Sequence, residues 1–564
     1  MKRRTVLVIS ILMLCVICCA CSGADTPTDS EALPVATGEP APAPTSEPDM
    51  AVALLDDVHT QAEQRKQEIL SCDTEIVKSD TFIKGETYTG TAYYISNSGS
   101  DENDGLSPET AFATPAALKN VGLQSGDAVF FERGGIWRAT ELPTSACWVD
   151  GITFSAYGQG DMPQIYGSEE NGTGGEKWIL YHEGDDGRKI WVYYRDMSEV
   201  GAIALNGSIP VRRDIAYWDE GSYTLLDSGE HRYELTEQTY SVEEHLPDMY
   251  CFPALDYSQV KAENWNDDIF VSRNWSTGES YRPTGKLYFR CDAGNPGELY
   301  DSIEFLQPYC FTAYAGGRET VLDSLCFAYT AHTIGTGNTG WVIQNCEFGW
   351  CGGAVSNYQS VLEKEYGDAA LGLNYILFGR RGGALSINNP QTTAENNYVH
   401  HAFQEGISVE IFEGDEGAAD IRIAGNLVEK CNQPLMLCNW DKEIDPNHNF
   451  KNLVVENNIV LDTAVDSLYN TDWEDNGSAA FTIQGGPNPH DGTVYVRNNI
   501  FAVSQGPLIV LPQCNDYMKV FSDNTYIQSA DGTGIFVNWQ DTYPLEENIA
   551  KLLGDETGTL VLLK

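Results

Sequence analysis

Positive charge is what this chain has least of. Against 82 Asp and Glu stand only 34 Lys and Arg, a formal net charge of −48. Nucleic acid needs a basic face, and so does an anionic membrane surface, so neither is expected as a partner. A balance this acidic suits a soluble, self-repelling surface outside the cell. Ordered cysteine patterns are missing too. Beyond the first 21 residues the cysteines are Cys72, Cys147, Cys251, Cys291, Cys310, Cys326, Cys346, Cys351, Cys431, Cys438 and Cys514. That is an odd number, and the spacings match no disulfide framework, no CxxC pair and no Cys/His zinc site. Cys326, Cys346 and Cys431 fall at similar points of a repeat and are expected as small stacked core residues.

Long apolar runs are lacking as well. The run Val6 to Ile17 follows the basic Lys2-Arg3-Arg4 and is too short for a membrane span. Small residues follow it, as in a secretory signal peptide over 1–20. Cys18-Cys19-Ala20-Cys21-Ser22-Gly23 resembles a bacterial lipobox. The resemblance implies cleavage before Cys21, lipidation of its thiol, and anchoring at the cell membrane facing outward, the only membrane contact expected. Residues 21–50, rich in Pro, Ala, Thr and acidic side chains, cannot bury a core and read as an extended tether.

What is present is a repeat. Asn345, Asn397, Asn426, Asn458, Asn499 and Asn524 are separated by 52, 29, 32, 41 and 25 residues. Periods of this size indicate a solenoid, and Asn at a fixed corner suits a left-handed turn or a stacked amide ladder. Near each corner lies a short strand. The most regular is Gly406-Ile-Ser-Val-Glu-Ile-Phe412, with Ile407, Val409 and Ile411 on one face and Ser408 and Glu410 on the other. The expected fold is all-β: a right-handed parallel β-helix. The segments are 51–90 (an amphipathic helix over 51–70, with Val52, Leu55, Val58, Ala62 and Ile69 inward and Asp49 as cap, covering one end), 91–167 (first rungs), 168–300 (an inserted antiparallel β-domain), 301–537 (the main solenoid) and 538–564 (a C-terminal cap).

Stacking the strands predicts two outward columns: Ser356, Ser386, Ser408, Met436 and Thr482, and beside it Asn388, Glu410, Cys438 and Gln484. Loops nearby add His400, His401, Gln404, Glu405, Asn439, Trp440, Asp441, Tyr358 and Tyr366. Cleaving a glycosidic bond takes two carboxyl groups about 5–9.5 Å apart. Glu410 with Asp441 is the leading catalytic pair, Glu405 the alternate, and His401 a candidate base. Asn388, Gln484, His400, Trp440 and Tyr358 are candidates for holding a sugar, the aromatic ones by stacking.

The segment Tyr93 to Thr114, with Ser98-Gly99-Ser100-Asp101-Glu102-Asn103-Asp104-Gly105-Leu106-Ser107 at its centre, closely resembles the opening of parallel β-helix proteins of the pectate-lyase-like superfamily. Its Gly/Asn/Asp cluster supplies a tight loop, and its carboxylates make calcium a candidate ligand; no other cofactor is expected. From Tyr300 on, the chain resembles β-helix glycoside hydrolases that include fucosidase- and xylanase-type members. The resemblance implies action on polysaccharide as a hydrolase, and a monomer is expected. In such sequences the equivalents of Ser386 and Gln404-Glu405 often read as an acidic residue and Asp-Ala. Polygalacturonase-type signatures are absent. Two alternatives stay open: a uronate lyase, for which Arg380 and Lys442 are the nearby cations, and a non-catalytic glycan-binding lipoprotein.

Overall fold

The computed structural model describes residues 47–564 apart from 198–199, 201, 209–211, 220–221, 228–235, 242–249, 256–284, 332–333, 358–377, 412–416, 440–449, 465–477, 486–492, 512–517, 538–540, 544–551 and isolated positions. Cys21, the signal peptide and most of the tether lie outside the described residues.

The chain coils into a parallel β-helix with three faces. Sheet 1 has ten strands, from Ala92–Ile95 to Met518–Ser522. Sheet 2 has ten, from Ile136–Arg138 to Thr559–Leu563. Sheet 3 has eight: Ile334–Gly335, Leu385–Ile387, Glu405–Ile411, Gln433–Asn439, Phe481–Gly485, Ile509–Leu511, Ile535–Val537 and Asp541–Tyr543, the last antiparallel to its neighbour. Alternate residues of all three sheets meet in one continuous core, in which Ile407, Val409, Val399, Ile423, Val428, Leu435 and Phe481 are fully or almost fully buried. Each such side chain contributes roughly 1.5–3 kcal/mol on burial. The final strand, Thr559–Leu563, pairs in parallel with Thr525–Ser529, so the C-terminal segment ends as another rung.

The corner from sheet 1 to sheet 2 is built the same way in rung after rung. Its first position is left-handed: Ser324, Asn345, Asn396, Asn457, Asn498 and Asp523 have φ between 53° and 58°, and Gly425 has 66°. Asn tolerates this region better than most residues. The second position is the ladder: Cys346, Asn397, Asn426, Asn458, Asn499, Asn524 and Asp555. Asn458 Oδ1 accepts from Asn426 N–H at 3.0 Å and Asn426 Nδ2 at 2.9 Å. Its own Nδ2 donates to the Ile423 carbonyl at 3.0 Å and to Asn499 Oδ1 at 2.9 Å. Asp555 ends the stack by accepting from Asn524 Nδ2 and the Tyr526 hydroxyl, both at 2.9 Å. Asn345 therefore belongs to the left-handed column and not to the ladder, where Cys346 stands. The residues Asn-Cys and Asn-Asn begin alike, which hid the one-residue offset. The three cysteines expected to share a repeat position do not: Cys346 heads the ladder, Cys431 stacks inside and Cys326 lies on the outer face of sheet 2, although all are buried.

The N-terminal helix spans Glu47–Leu70, so Asp49 lies within it and is not its cap. Val58, Ala62 and Ile69 are buried, whereas Val52 is 54% exposed. The helix does not cover an end. It packs on the outer face of sheet 2, against Val561, Ile527, Ala502, Leu461, Leu427, Tyr398, Cys326 and Tyr166. Twenty-four residues extend about 36 Å, close to the rise of the strands beneath. Arg65 donates to the Asn457 carbonyl at 2.6 Å, and the Lys66 ammonium sits 5.1 Å over the Tyr398 ring.

A mainly antiparallel sheet of eight strands interrupts the solenoid, beginning at Trp178–Glu183 and closing with Gly285–Arg290. Its core includes Trp178, Tyr193, Leu287, Phe289 and Phe305. It is fastened to the early rungs by a buried pair. Arg138 makes two bonds to the Glu304 carboxylate, at 2.8 and 2.9 Å, and a third to the Ser168 carbonyl at 3.1 Å.

The ladder gives a direct test. Asn458→Leu removes four hydrogen bonds, two from Asn426 and one each to the Ile423 carbonyl and Asn499 Oδ1, and should cost roughly 3 kcal/mol in denaturant melts. Asn457→Gly, one residue earlier at φ 57°, should cost less than about 1 kcal/mol.

Candidate functional site

Loop length singles out one face. Every sheet 1 to sheet 2 corner from Asp323 on is two residues, whereas the longer connections, such as 412–421, 440–452, 464–480 and 486–492, border sheet 3. Binding residues concentrate where a rigid scaffold carries variable loops.

Sheet 3 presents two outward columns in register. The first is Gly335, Ser386, Ser408, Met436, Thr482 and Val510. The second contains Asn388, one residue past its strand, then Glu410, Cys438 and Gln484. Ser356 is not in the first column. Its strand Ala354–Asn357 pairs antiparallel with Phe378–Arg381 as a separate ribbon, and Gly335 takes its place. A ribbon strand and a rung share the same two-residue alternation, so the sequence pattern did not distinguish them.

The first column is buried although it faces outward: Ser408 and Thr482 are 0% exposed and Met436 2%. Asn388, Glu410 and Gln484 are partly exposed. The site is therefore a recessed strip with three accessible polar side chains. Glu410 is oriented by two hydroxyls. Ser408 Oγ donates to its Oε1 at 2.9 Å, and Ser386 Oγ lies 3.3 Å from the same oxygen while donating to Asn388 Oδ1 at 2.6 Å. Gln484 Nε2 donates to the Met436 sulfur at 3.5 Å. Burial, and next the neighbouring Glu410 carboxylate, push the Cys438 thiol well above its ordinary pKa, so it stands as a neutral wall. The Thr482 hydroxyl is buried without a hydrogen-bond partner.

Glu405 starts the same strand, five residues before Glu410, and its carboxylate, like that of Glu410, acts on the Cys438 thiol. Its Oε2 is turned towards Gly383, where an added Cβ would meet it at 2.9 Å. Asp441, Trp440, Tyr358 and Tyr366 lie outside the described residues, as do Lys442 and the side chain of Arg380. Asn439, two residues before Asp441, pairs with Ile411, beside Glu410.

His400 and His401 are on sheet 2, around the corner from Glu410. His400 Nε2 meets Glu347 Oε1 at 3.1 Å, and the two imidazoles share a hydrogen between their Nδ1 atoms at 2.8 Å. The His401 ring stacks on Trp350, centroids 3.9 Å apart, and His400 stacks on Tyr398 at 4.5 Å. Gly349 is needed beneath His400, since a Cβ there would come within 2.4 Å of its Nε2. Burial, then the charges of His400, Lys430 and Lys66, push the His401 imidazole down to about 2. Burial pushes the Glu347 carboxyl up, but His400 outweighs it and holds the group below its ordinary value. The pair thus packs a corner beneath the N-terminal helix, and sequence spacing alone had placed it with the groove.

In the opening motif the carboxylates hold backbone. Asp101 Oδ1 accepts from Ala113 and Thr114 N–H at 2.9 and 2.8 Å, and Asp104 Oδ1 accepts from the Thr110 hydroxyl at 2.7 Å. Among the described residues no group of three or more His, Cys, Asp or Glu stands close enough to hold one metal ion. Sequence reasoning also missed Asp323, a buried carboxyl at a corner. Burial first, against hydrogen bonds from Asn345 and Ser324, pushes it up to about 6.

A folded pKa of about 2 for His401, against about 6.5 unfolded, means that its neutral form stabilises the fold fully above pH 6.5 and that this contribution is lost as pH falls. His401→Asn keeps the left-handed backbone (φ 50°) without a titrating ring. Between pH 6 and 4.5 its stability should fall less steeply than wild type by up to about 1.4 kcal/mol per pH unit, read from melts across that window.

No family model matches the chain, and no curated protein matches it. Among solved structures it is similar to XylC in complex with xylose, at 13% identity over 79% of this chain and 70% of that one, with a TM-score of 0.38. It is similar to a rhamnogalacturonan lyase, at 11% identity over 79% and 75% with a TM-score of 0.36. It is similar, too, to a GH136 lacto-N-biosidase from Eubacterium ramulus, at 12% identity over 84% and 68% with a TM-score of 0.31.

Proposed function

We propose that this chain is a polysaccharide-degrading glycoside hydrolase, monomeric and held outside the cell by a lipid on Cys21, with Glu410 as one of its two working carboxyl groups. The observation that carries the reading is the setting of Glu410. It is a partly exposed carboxylate in a recessed polar strip, oriented by Ser408 and Ser386 and flanked by Asn388 and Gln484. Amide side chains of that kind hydrogen-bond sugar hydroxyls. Asp441 is the proposed second carboxyl. In the sequence it lies two residues past Asn439, the end of the strand that pairs with the strand of Glu410, and glycosidic cleavage uses two carboxyl groups about 5–9.5 Å apart. One protonates the leaving oxygen; the other activates water or attacks the anomeric carbon.

A uronate lyase must instead neutralise its substrate's carboxylate with cations. The described members of the strip contain no Lys or Arg, which ranks elimination below hydrolysis.

Incubation with a panel of plant and host glycans tests the reading. Glu410→Gln and Asp441→Asn should each lower kcat/KM by about 10²–10⁴-fold, and Glu405→Gln should stay within about threefold of wild type. Full activity in Glu410→Gln removes the proposed site. Unsaturated products would establish a lyase, and binding without cleavage would establish a glycan-binding protein.

A further inference from the structure

Asn388 is tied down at its backbone and at one end of its amide, and is open at the other. Its N–H donates to Thr336 Oγ1 at 3.3 Å, and Thr336 N–H in turn donates to the Ser386 carbonyl at 2.9 Å. Its side chain shares the outward face with that of Ser386, two residues earlier, and Ser386 Oγ stands 2.6 Å from its Oδ1. That separation identifies the amide atom. Hydroxyl-to-oxygen bonds fall at about 2.5–3.0 Å, whereas an N–H donating to oxygen takes about 2.7–3.2 Å. The carbonyl oxygen therefore faces Ser386, and the NH2 group faces away from it. Asn388 is partly exposed, and among the described residues nothing accepts from its Nδ2.

A hydroxyl has one hydrogen to give. Ser386 Oγ has two acceptors in reach, Asn388 Oδ1 at 2.6 Å and Glu410 Oε1 at 3.3 Å. The shorter contact takes the hydrogen, and Ser408 supplies Glu410 at 2.9 Å. Ser386 is buried, so the partner it has chosen is not readily exchanged for water. It thereby fixes which way round the Asn388 amide stands. Ile387 pairs with Val409, so Asn388 stands level with Glu410 one rung away, about 4.8 Å at the backbone. A sugar ring seated on Glu410 therefore meets amide hydrogens on one side and a carboxylate beside them.

We infer that Asn388 is a specificity-determining residue, held by Ser386 as a hydrogen-bond donor, and that it selects at Glu410 a neutral sugar ring bearing an acceptor oxygen, a hydroxyl or an acetamido carbonyl. The inference rests on the glycan reading of Glu410. Amide donors alone would also take a carboxylate or a sulfate. On this ring either would bring like charge next to Glu410, in a chain of net charge −48, so an anionic ring is disfavoured. Ser386, buried behind the amide, acts through Asn388 and is a positioning residue. Its loss leaves the amide able to turn and present its oxygen instead, which changes what the site prefers and not only how tightly it binds.

Kinetics on an oligosaccharide of the best glycan in the panel, with analogues altered at single positions of the ring cleaved, test this on variants shown to fold by circular dichroism. A deoxy analogue lacks both acceptor and hydrogen; a deoxyfluoro analogue keeps an acceptor and lacks the hydrogen. At one position the deoxy analogue should raise the wild-type KM about tenfold with kcat within about threefold, and the deoxyfluoro analogue should keep most of the affinity. Asn388→Ala should raise KM about tenfold on the parent sugar and no longer separate the two analogues. Asn388→Asp, the same shape without the donors, should lose at least as much and stands in if Asn388→Ala does not fold. Ser386→Ala should bring the two analogues within about twofold of each other, and Ser386→Thr should restore the gap. An acetamido group at that position, compared with the hydroxyl, names the preferred oxygen by the lower KM, and the uronate form of the ring should bind more weakly than either. Analogues that Asn388→Ala still separates, or a preference for the uronate, overturn the inference while Glu410 keeps its role. The same pattern in binding titrations without cleavage supports the donor role of Asn388 and overturns the hydrolase. Neither binding nor cleavage of any glycan by wild type overturns both.

Discussion

Each coil of this molecule must lie in register on the one before, and the buried amide ladder is what enforces that. A parallel strand that slipped by one residue would turn its apolar set outward. The ladder opposes such a slip, because every amide from Asn397 to Asn524 closes bonds to backbone and amide groups of adjacent rungs. Those bonds lie where water cannot replace them. The positions that matter for chemistry inherit this accuracy. Ser386, Ser408 and Glu410 meet across two rungs only because Leu385 pairs with Ile407 and not with a neighbour.

Much of this was legible in the residues. The alternation in Gly406–Phe412 gave the correct inward and outward faces, and the recurring Asn gave the period. Both are local consequences of backbone geometry, which repeats whatever the rest of the chain does. What escaped depended on distant segments. Ser356 reads as a rung strand, but an antiparallel partner claims it. His400 and His401 read as neighbours of Glu410, since only Ala402, Phe403 and Gln404 separate them from its strand. A coil that turns a corner between the two sends them to a different face. The orientation of the N-terminal helix was likewise invisible: an apolar stripe says that a helix packs, not which surface receives it.

The site and the corner beside it show two uses of buried polar groups. Around Glu410 the hydroxyls of Ser386 and Ser408 hold a carboxylate that stays partly open to solvent. Around His400 the partners are closed in: Glu347, Trp350, Tyr398 and the helix above leave no comparable opening. The first arrangement can meet a substrate. The second packs the corner on which the N-terminal helix rests.

The helix along sheet 2 changes what kind of object the solenoid is. In a stack of coils each rung ordinarily feels only its neighbours, so the ends fray and the middle can open alone. Here one element touches rungs from Tyr166 to Val561, so separating any two of them also strips the helix from both. It runs against the direction of winding, with His59 acting on Asp462 and Lys66 reaching back to Tyr398. This helix, made before every strand of the coil, therefore finds its full seat only after the strand Thr559–Leu563 has been laid down. Completion of the coil is the event that locks it.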